Sequence, residues 1–171
     1  HIIKGRLVDW TRSRTSAKGD NPSCGRCYKE SEAEVLCARI LTELGVSFRR
    51  EVPLAPIPHQ PFDFILDIRH VCRIGIEVDG KQHFGVQHSF KAADPAVYWE
   101  KQKRSDNAKN KACEELNMIL LRISYKQSKS EQRVRSILSS FLEGLLNRKA
   151  GAFAIDDSEH LYDNMFKPMK Q

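Results

Sequence analysis

The chain has 171 residues, 40% of them hydrophobic, with 28 Lys+Arg against 22 Asp+Glu and a formal net charge of +6. That length suits one domain with a packed core and leaves little room for two. The basic balance favours a polyanionic partner, no apolar run approaches the ~20 residues of a membrane span, and the N-terminal "HIIKGRLVDWTRSRTSAKGD" lacks the apolar core of a secretory signal.

Residues 1–30 are basic and polar with scattered Ser, Gly and Pro, and read as an arm or linker. The start at His1 rather than Met suggests one domain of a longer protein. The folded domain is expected over residues 31–148. In "SEAEVLCARILTELG", Val35, Leu36, Ile40, Leu41 and Leu44 follow a helical period, Ser31 is a natural N-cap with Glu34 completing a capping box, and Gly45 stops the helix. A short strand is expected in "VSFRREVPL", followed by the proline-punctuated "APIPHQP". In "FDFILDI", Phe62, Phe64, Leu66 and Ile68 should share one face, with Asp63, Ile65 and Asp67 on the other. "RIGIEVD" repeats the pattern, with Ile74, Ile76 and Val78 on one side and Glu77 and Asp79 on the other.

"PAVYWEKQKRSDNAKNKACEEL" lacks glycine and internal proline and reads as a long basic helix burying Trp99, Ala112 and Leu116. "NMILLRISY" is apolar on both faces, the mark of a central strand in a covered sheet. "SEQRVRSILSSFLEGLLNR" carries Val134, Ile137, Leu138, Phe141, Leu142 and Leu145 on one stripe, a helix that packs on that sheet. Residues 149–171 show no periodicity and form a tail that the pattern does not place. The sum is an α/β fold, with a mixed central sheet flanked by helices.

Alternation along the strands sends Glu77 and Asp79 to the same face, and Asp63 to the acid-bearing face of the partner strand. Carboxylates that close raise one another's pKa unless a cation lies between them, so Asp63, Glu77 and Asp79 suggest a divalent ion held through oxygen, magnesium or manganese rather than zinc. On a basic chain this points to phosphodiester chemistry. His83, past Gly80, is a candidate base or ligand, and Lys81 and Gln82 are candidate phosphate donors. Lys101, Lys103 and Arg104 on the basic helix are further candidate nucleic-acid contacts, although such a run is more often a solvated face. In "SCGRC", Cys24 and Cys27 have zinc-ligand spacing, with Cys72 and His70 available to complete four ligands; the alternative is a reduced loop.

Ser31 to Glu34, "FDF" at 62–64, "IEVDGKQHF" at 76–84, "RSDNAKNKAC" at 104–113 and "LLRISY" at 120–125 together resemble the PD-(D/E)XK, or restriction-endonuclease-like, superfamily, most closely very-short-patch repair endonucleases and EDxHD-type homing endonucleases. The resemblance implies an αβββαβ core and a DNA endonuclease. It further implies that Asp63 is the central metal ligand, Glu77 a second ligand or water-orienting acid, and Glu34 a more distant, water-mediated participant. It makes His83 a base or transition-state donor, Asp106 a supporting acid, and Lys109 a group that touches phosphate or orients Asp106. One departure stands out: Asp79 occupies the place of the superfamily's lysine, so Lys81, Lys109 or His83 must supply its function or the site is impaired. The readings that follow are an intracellular nuclease, in cytoplasm or nucleus or made by a phage or virus in its host, acting on DNA with RNA as an alternative substrate; and a catalytically impaired module that binds nucleic acid.

Overall fold

A computed structural model describes residues 31–55, 57–68, 73–86, 94–145, 149–163 and 165. Helix α1 (Glu32–Glu43) begins where Ser31 Oγ accepts the Glu34 amide hydrogen at 3.2 Å and donates to Glu34 Oε1 at 2.8 Å. It ends in a Schellman arrangement, with Gly45 at φ +72°, its amide on Thr42 O and the Val46 amide on Leu41 O. Cys37, Ile40 and Leu41 face the core, whereas Val35, expected on that stripe, is 50% exposed. The stripe is therefore narrower than the periodicity suggests.

Strands β1 (Phe48–Val52), β2 (Phe62–Asp67) and β3 (Arg73–Asp79) form an antiparallel meander. Helix α2 (Pro95–Glu115), capped by Asp94 Oδ1 on the amides of Ala96 and Val97, returns the chain to β4 (Ile119–Ser124), parallel to β3. Helix α3 (Glu131–Glu143) then leads to β5 (Gly151–Phe153), parallel to β4, and the sheet order is β1-β2-β3-β4-β5. Residues 149–171, without pattern in the sequence, thus supply an edge strand and the buried Tyr162. Among the described residues, no helix is long and apolar enough to cross a membrane.

Alternation along the sheet sorts the side chains into two layers. Phe64, Leu66, Ile74, Ile76, Ile119, Leu121 and Ile123 pack against α1 and α3, whose ends are tied by Arg39 to Glu131 and by Arg135 to Glu43. On the other face, Ile65 and Leu120 pack with Cys113 of α2. Phe62 belongs to this second layer, not to the face of Phe64 and Leu66. The cause is local: Glu51, in the β1 position opposite Asp63, has φ +49°, and beyond Phe64 the ladder between β2 and β3 gives way to side-chain bonds. The Phe62 ring instead covers Gly75, where a Cβ would lie 3.0 Å from Leu120 and 3.1 Å from Phe62. Past Gly75 on β3 and Leu120 on β4 that face stops being apolar, and Glu77, Asp79 and Arg122 follow.

Candidate functional site

The antiparallel ladder between β2 and β3 stops being regular at Asp63 and Glu77. There the Glu77 carboxylate accepts the Asp63 amide hydrogen at 3.2 Å, and the Asp63 carboxylate accepts the Val78 amide hydrogen at 2.7 Å. Two acids thus stand where main-chain groups would have paired, close together at the open end of a hairpin. Burial, and then the Glu77 charge, push the Asp63 carboxyl up to about 8, against the lowering hydrogen bond from Val78 and the Lys109 charge. Burial raises Glu77 too, although Lys109 opposes it with Nζ at 2.8 Å from Oε2. Lys109 comes from α2, donates also to Pro61 O at 2.9 Å, and lies over the Phe62 ring. Glu34 of α1 is 4% exposed, is approached by Arg50 at 3.4 Å, and adds to the field that raises Asp63.

Asp79 takes part in a different network. Arg122 of β4, fully buried, donates from Nε and NH2 to its two oxygens at 2.8 and 2.7 Å, and the Tyr162 hydroxyl donates to Oδ2 at 2.8 Å. The same guanidinium reaches Asp106 Oδ1 at 2.9 Å and Asn110 Oδ1 at 2.8 Å, both on α2. Burial by itself would raise Asp79, but Arg122, His83 and Tyr162 outweigh it and bring the carboxyl down to about 2. His83, on the short turn Lys81–His83, lies with Nδ1 2.9 Å from Asp106 Oδ2 and 3.3 Å from Asp79 Oδ1, with the Gln102 amide nitrogen 3.2 Å away. Burial lowers its pKa, and the two carboxylates more than reverse this, so the imidazole is held above its ordinary value.

Asp79, His83 and Asp106 each offer a ligand atom within 4.8 Å of the others, a spacing that a metal ion can bridge. Arg122 and Tyr162, however, already engage the Asp79 oxygens, and an ion there would compete with a guanidinium. Asp63 and Glu77 have weaker neutralisation and an all-oxygen donor set, which fits a hard divalent ion.

The residues proposed from sequence therefore fall into two groups. Asp63, Glu77, Glu34 and Lys109 form one; Asp79, His83 and Asp106 form the other. Lys109 meets Glu77 from the neighbouring helix. Lys81 is exposed, 5.8 Å from the Tyr125 ring, and Gln82 folds back over Gly80. Lys101 and Arg104 are exposed on α2, and Lys103 pairs with Glu100 at 2.5 Å and sits over the Trp99 ring at 4.0 Å. Cys24, Cys27, His70 and Cys72 lie outside the described residues, while Cys37 and Cys113 are buried free thiols pushed up to about 12 by burial. Arg122 and Tyr162 escape the sequence reading. A lone arginine inside "MILLRIS" was the available signal for the first; nothing in the unpatterned tail marks the second. No protein-family model, curated protein or solved structure matches this chain.

Proposed function

We propose that the chain is a metal-dependent endonuclease that hydrolyses DNA phosphodiester bonds, with Asp63 and Glu77 as the ligands for magnesium or manganese. The observation that carries this reading is the pair itself: two carboxylates at an opened strand ladder, one pushed up to about 8, with Lys109 2.8 Å from the other. Burial of like charges at such close quarters is costly, and a bound divalent cation relieves it. An ion held there would activate water for in-line attack and neutralise charge on the scissile phosphate.

The chain's own groups supply the rest. Lys109 opposes the burial that raises Glu77 and holds its Oε2 at 2.8 Å, in the role expected of the lysine that Asp79 replaces in the β3 motif. His83, held at Nδ1 by Asp106 and Asp79, would act through Nε2, and its raised pKa favours proton donation to the leaving oxygen. Exposed Lys81, Lys101 and Arg104 would contact the phosphate backbone.

The test is cleavage of supercoiled plasmid, single-stranded DNA, mismatched duplex and RNA, with magnesium, manganese or EDTA. Asp63→Asn is expected to abolish cleavage and to retain DNA binding. Undiminished cleavage by that variant overturns the proposal. A wild-type chain that binds DNA, is not stabilised by either ion and cuts nothing would be the impaired module.

A further inference from the structure

Tyr162 lies far from His83 in sequence, in the stretch after β5, yet it is 1% exposed and its hydroxyl donates to Asp79 Oδ2 at 2.8 Å. Its ring meets Phe84, the neighbour of His83, edge-on at 5.0 Å between centroids. One side chain thereby grips both the carboxylate beside the imidazole and the residue that follows it. The segment carrying Tyr162 is itself tied down at several points. Gln127 Nε2 donates to Ile155 O at 2.6 Å, Arg133 NH2 donates to Asp156 O at 2.6 Å and to Ser158 Oγ at 3.2 Å, and Asp157 Oδ2 accepts the Tyr162 amide hydrogen at 3.0 Å. Lys126 pairs with Glu159 on the same stretch. Gln127 is buried and also accepts from the Ser124 amide at the end of β4, two residues beyond Arg122.

We propose that Tyr162 is a positioning residue: through its hydroxyl on Asp79 and its ring on Phe84, the C-terminal segment fixes the orientation of the His83 imidazole. The inference rests on the reading of His83 as a working group of the nuclease site. The geometry explains why a buried phenol is spent on a carboxylate that Arg122 already pairs with. Arg122 binds both Asp79 oxygens but comes from the sheet, and it touches neither His83 nor Phe84 in any bond described above. Tyr162 spans the two sides, locking the turn Lys81–His83 against the strand that precedes it.

Tyr162→Phe removes the hydroxyl and keeps the ring. The expected results are about a tenfold or greater fall in kcat, with KM for DNA and thermal stabilisation by manganese unchanged. In the side-chain nitrogen NMR spectrum taken at a pH where the His83 imidazole is neutral, the single tautomer set by Asp79 and Asp106 should give way to a mixture. A merely structural tyrosine would lower the melting temperature and leave the His83 nitrogen shifts and kcat of the folded protein as they are; that result overturns the proposal. Asp157→Ala, which frees the Tyr162 amide and keeps the phenol, serves as the second variant if Tyr162→Phe folds poorly. It should move the same nitrogen shifts by a smaller amount, and unmoved shifts in it count against the proposal equally. The NMR readout needs no turnover, so a wild-type chain that cuts nothing sinks the nuclease reading while the spectra still decide the positioning role.

Discussion

Glu77 and Asp79 leave the same strand on the same face, both buried, and their carboxyl groups titrate in opposite directions. Burial works against ionisation in both. Asp79 gains a fully buried guanidinium on both oxygens and a phenol besides, and falls to about 2. Glu77 is raised by burial, which outweighs the Lys109 ammonium at 2.8 Å and the Arg122 charge, with the Asp79 charge adding to the rise. Burial and spacing are thus shared, and the partner set decides what each acid can do. A carboxylate whose lone pairs are filled by fixed donors is scaffold, whereas a carboxylate facing another carboxylate is an incomplete site that favours an incoming cation.

The most forceful way to break the comparison is to take Arg122 away. Arg122→Met leaves Asp79 and Asp106 buried without the guanidinium, and loss of one partner of a buried pair costs about 3–5 kcal/mol. Urea unfolding should show that loss as a lower midpoint with little change in slope. A cost below ~1 kcal/mol, the range of exposed pairs, would mean that the Asp79 network is not the rigid half of the site.

The complementary experiment adds charge to the other half. Asp63 has an ordinary value of 3.8 and a folded value near 8, so between them the folded chain keeps a proton that the unfolded chain releases. Its contribution to stability is present below the unfolded value and is lost as pH rises toward the folded one. Metal-free protein should therefore become less stable on going from mildly acidic to mildly alkaline pH. His83, also raised, contributes in the same direction above its ordinary 6.5. Asp63→Asn separates the two by flattening only the Asp63 part and making the metal-free protein more stable at neutral pH. Manganese at a hundredfold excess over its Kd should restore about 2.7 kcal/mol to the wild type and nothing to Asp63→Asn. Equal stabilisation of both chains would move the ion to Asp79, His83 and Asp106, whose atoms are close enough to hold one.

Much of this contrast was legible in the sequence, and its limits have physical causes. The amphipathic periods of α1 and α3, the alternation of β3 and the doubly apolar β4 are local patterns, and each element forms where those patterns fall. The convergence of Asp63 with Glu77 follows from alternation in neighbouring strands. What alternation does not specify is which cation reaches which acid. Lys109 selects Glu77 through the way α2 lies across the sheet, and Arg122 selects Asp79 from β4, the strand parallel to β3; neither pairing can be read from a single segment. Phe62 changes layers where the β2–β3 ladder opens at Asp63, and no rule of alternation foresees a break made by the side-chain bonds of Asp63 and Glu77. Tyr162 comes from a segment without period, held by polar bonds to Gln127, Arg133 and Asp157 rather than by an apolar stripe.

The smallest expected effect lies outside both halves, on the exposed face of α2. Lys101 and Arg104 have no part in either network of acids, and substitutions of exposed side chains away from such features stay within about 0.5 kcal/mol of the parent stability. The double variant Lys101→Gln with Arg104→Gln should therefore keep the melting temperature, the manganese shift and the His83 spectrum of the wild type. If these side chains meet phosphates, affinity for duplex DNA falls, and the slope of log affinity against log salt loses roughly 0.9 for each contact removed. An unchanged slope would make this face merely solvated and leave Lys81 and the groups around Asp63 to hold the backbone. The distinction matters because α2 is the element that would join the two networks to a bound phosphate chain: its buried side carries Asp106 and Lys109, its exposed side Lys101 and Arg104.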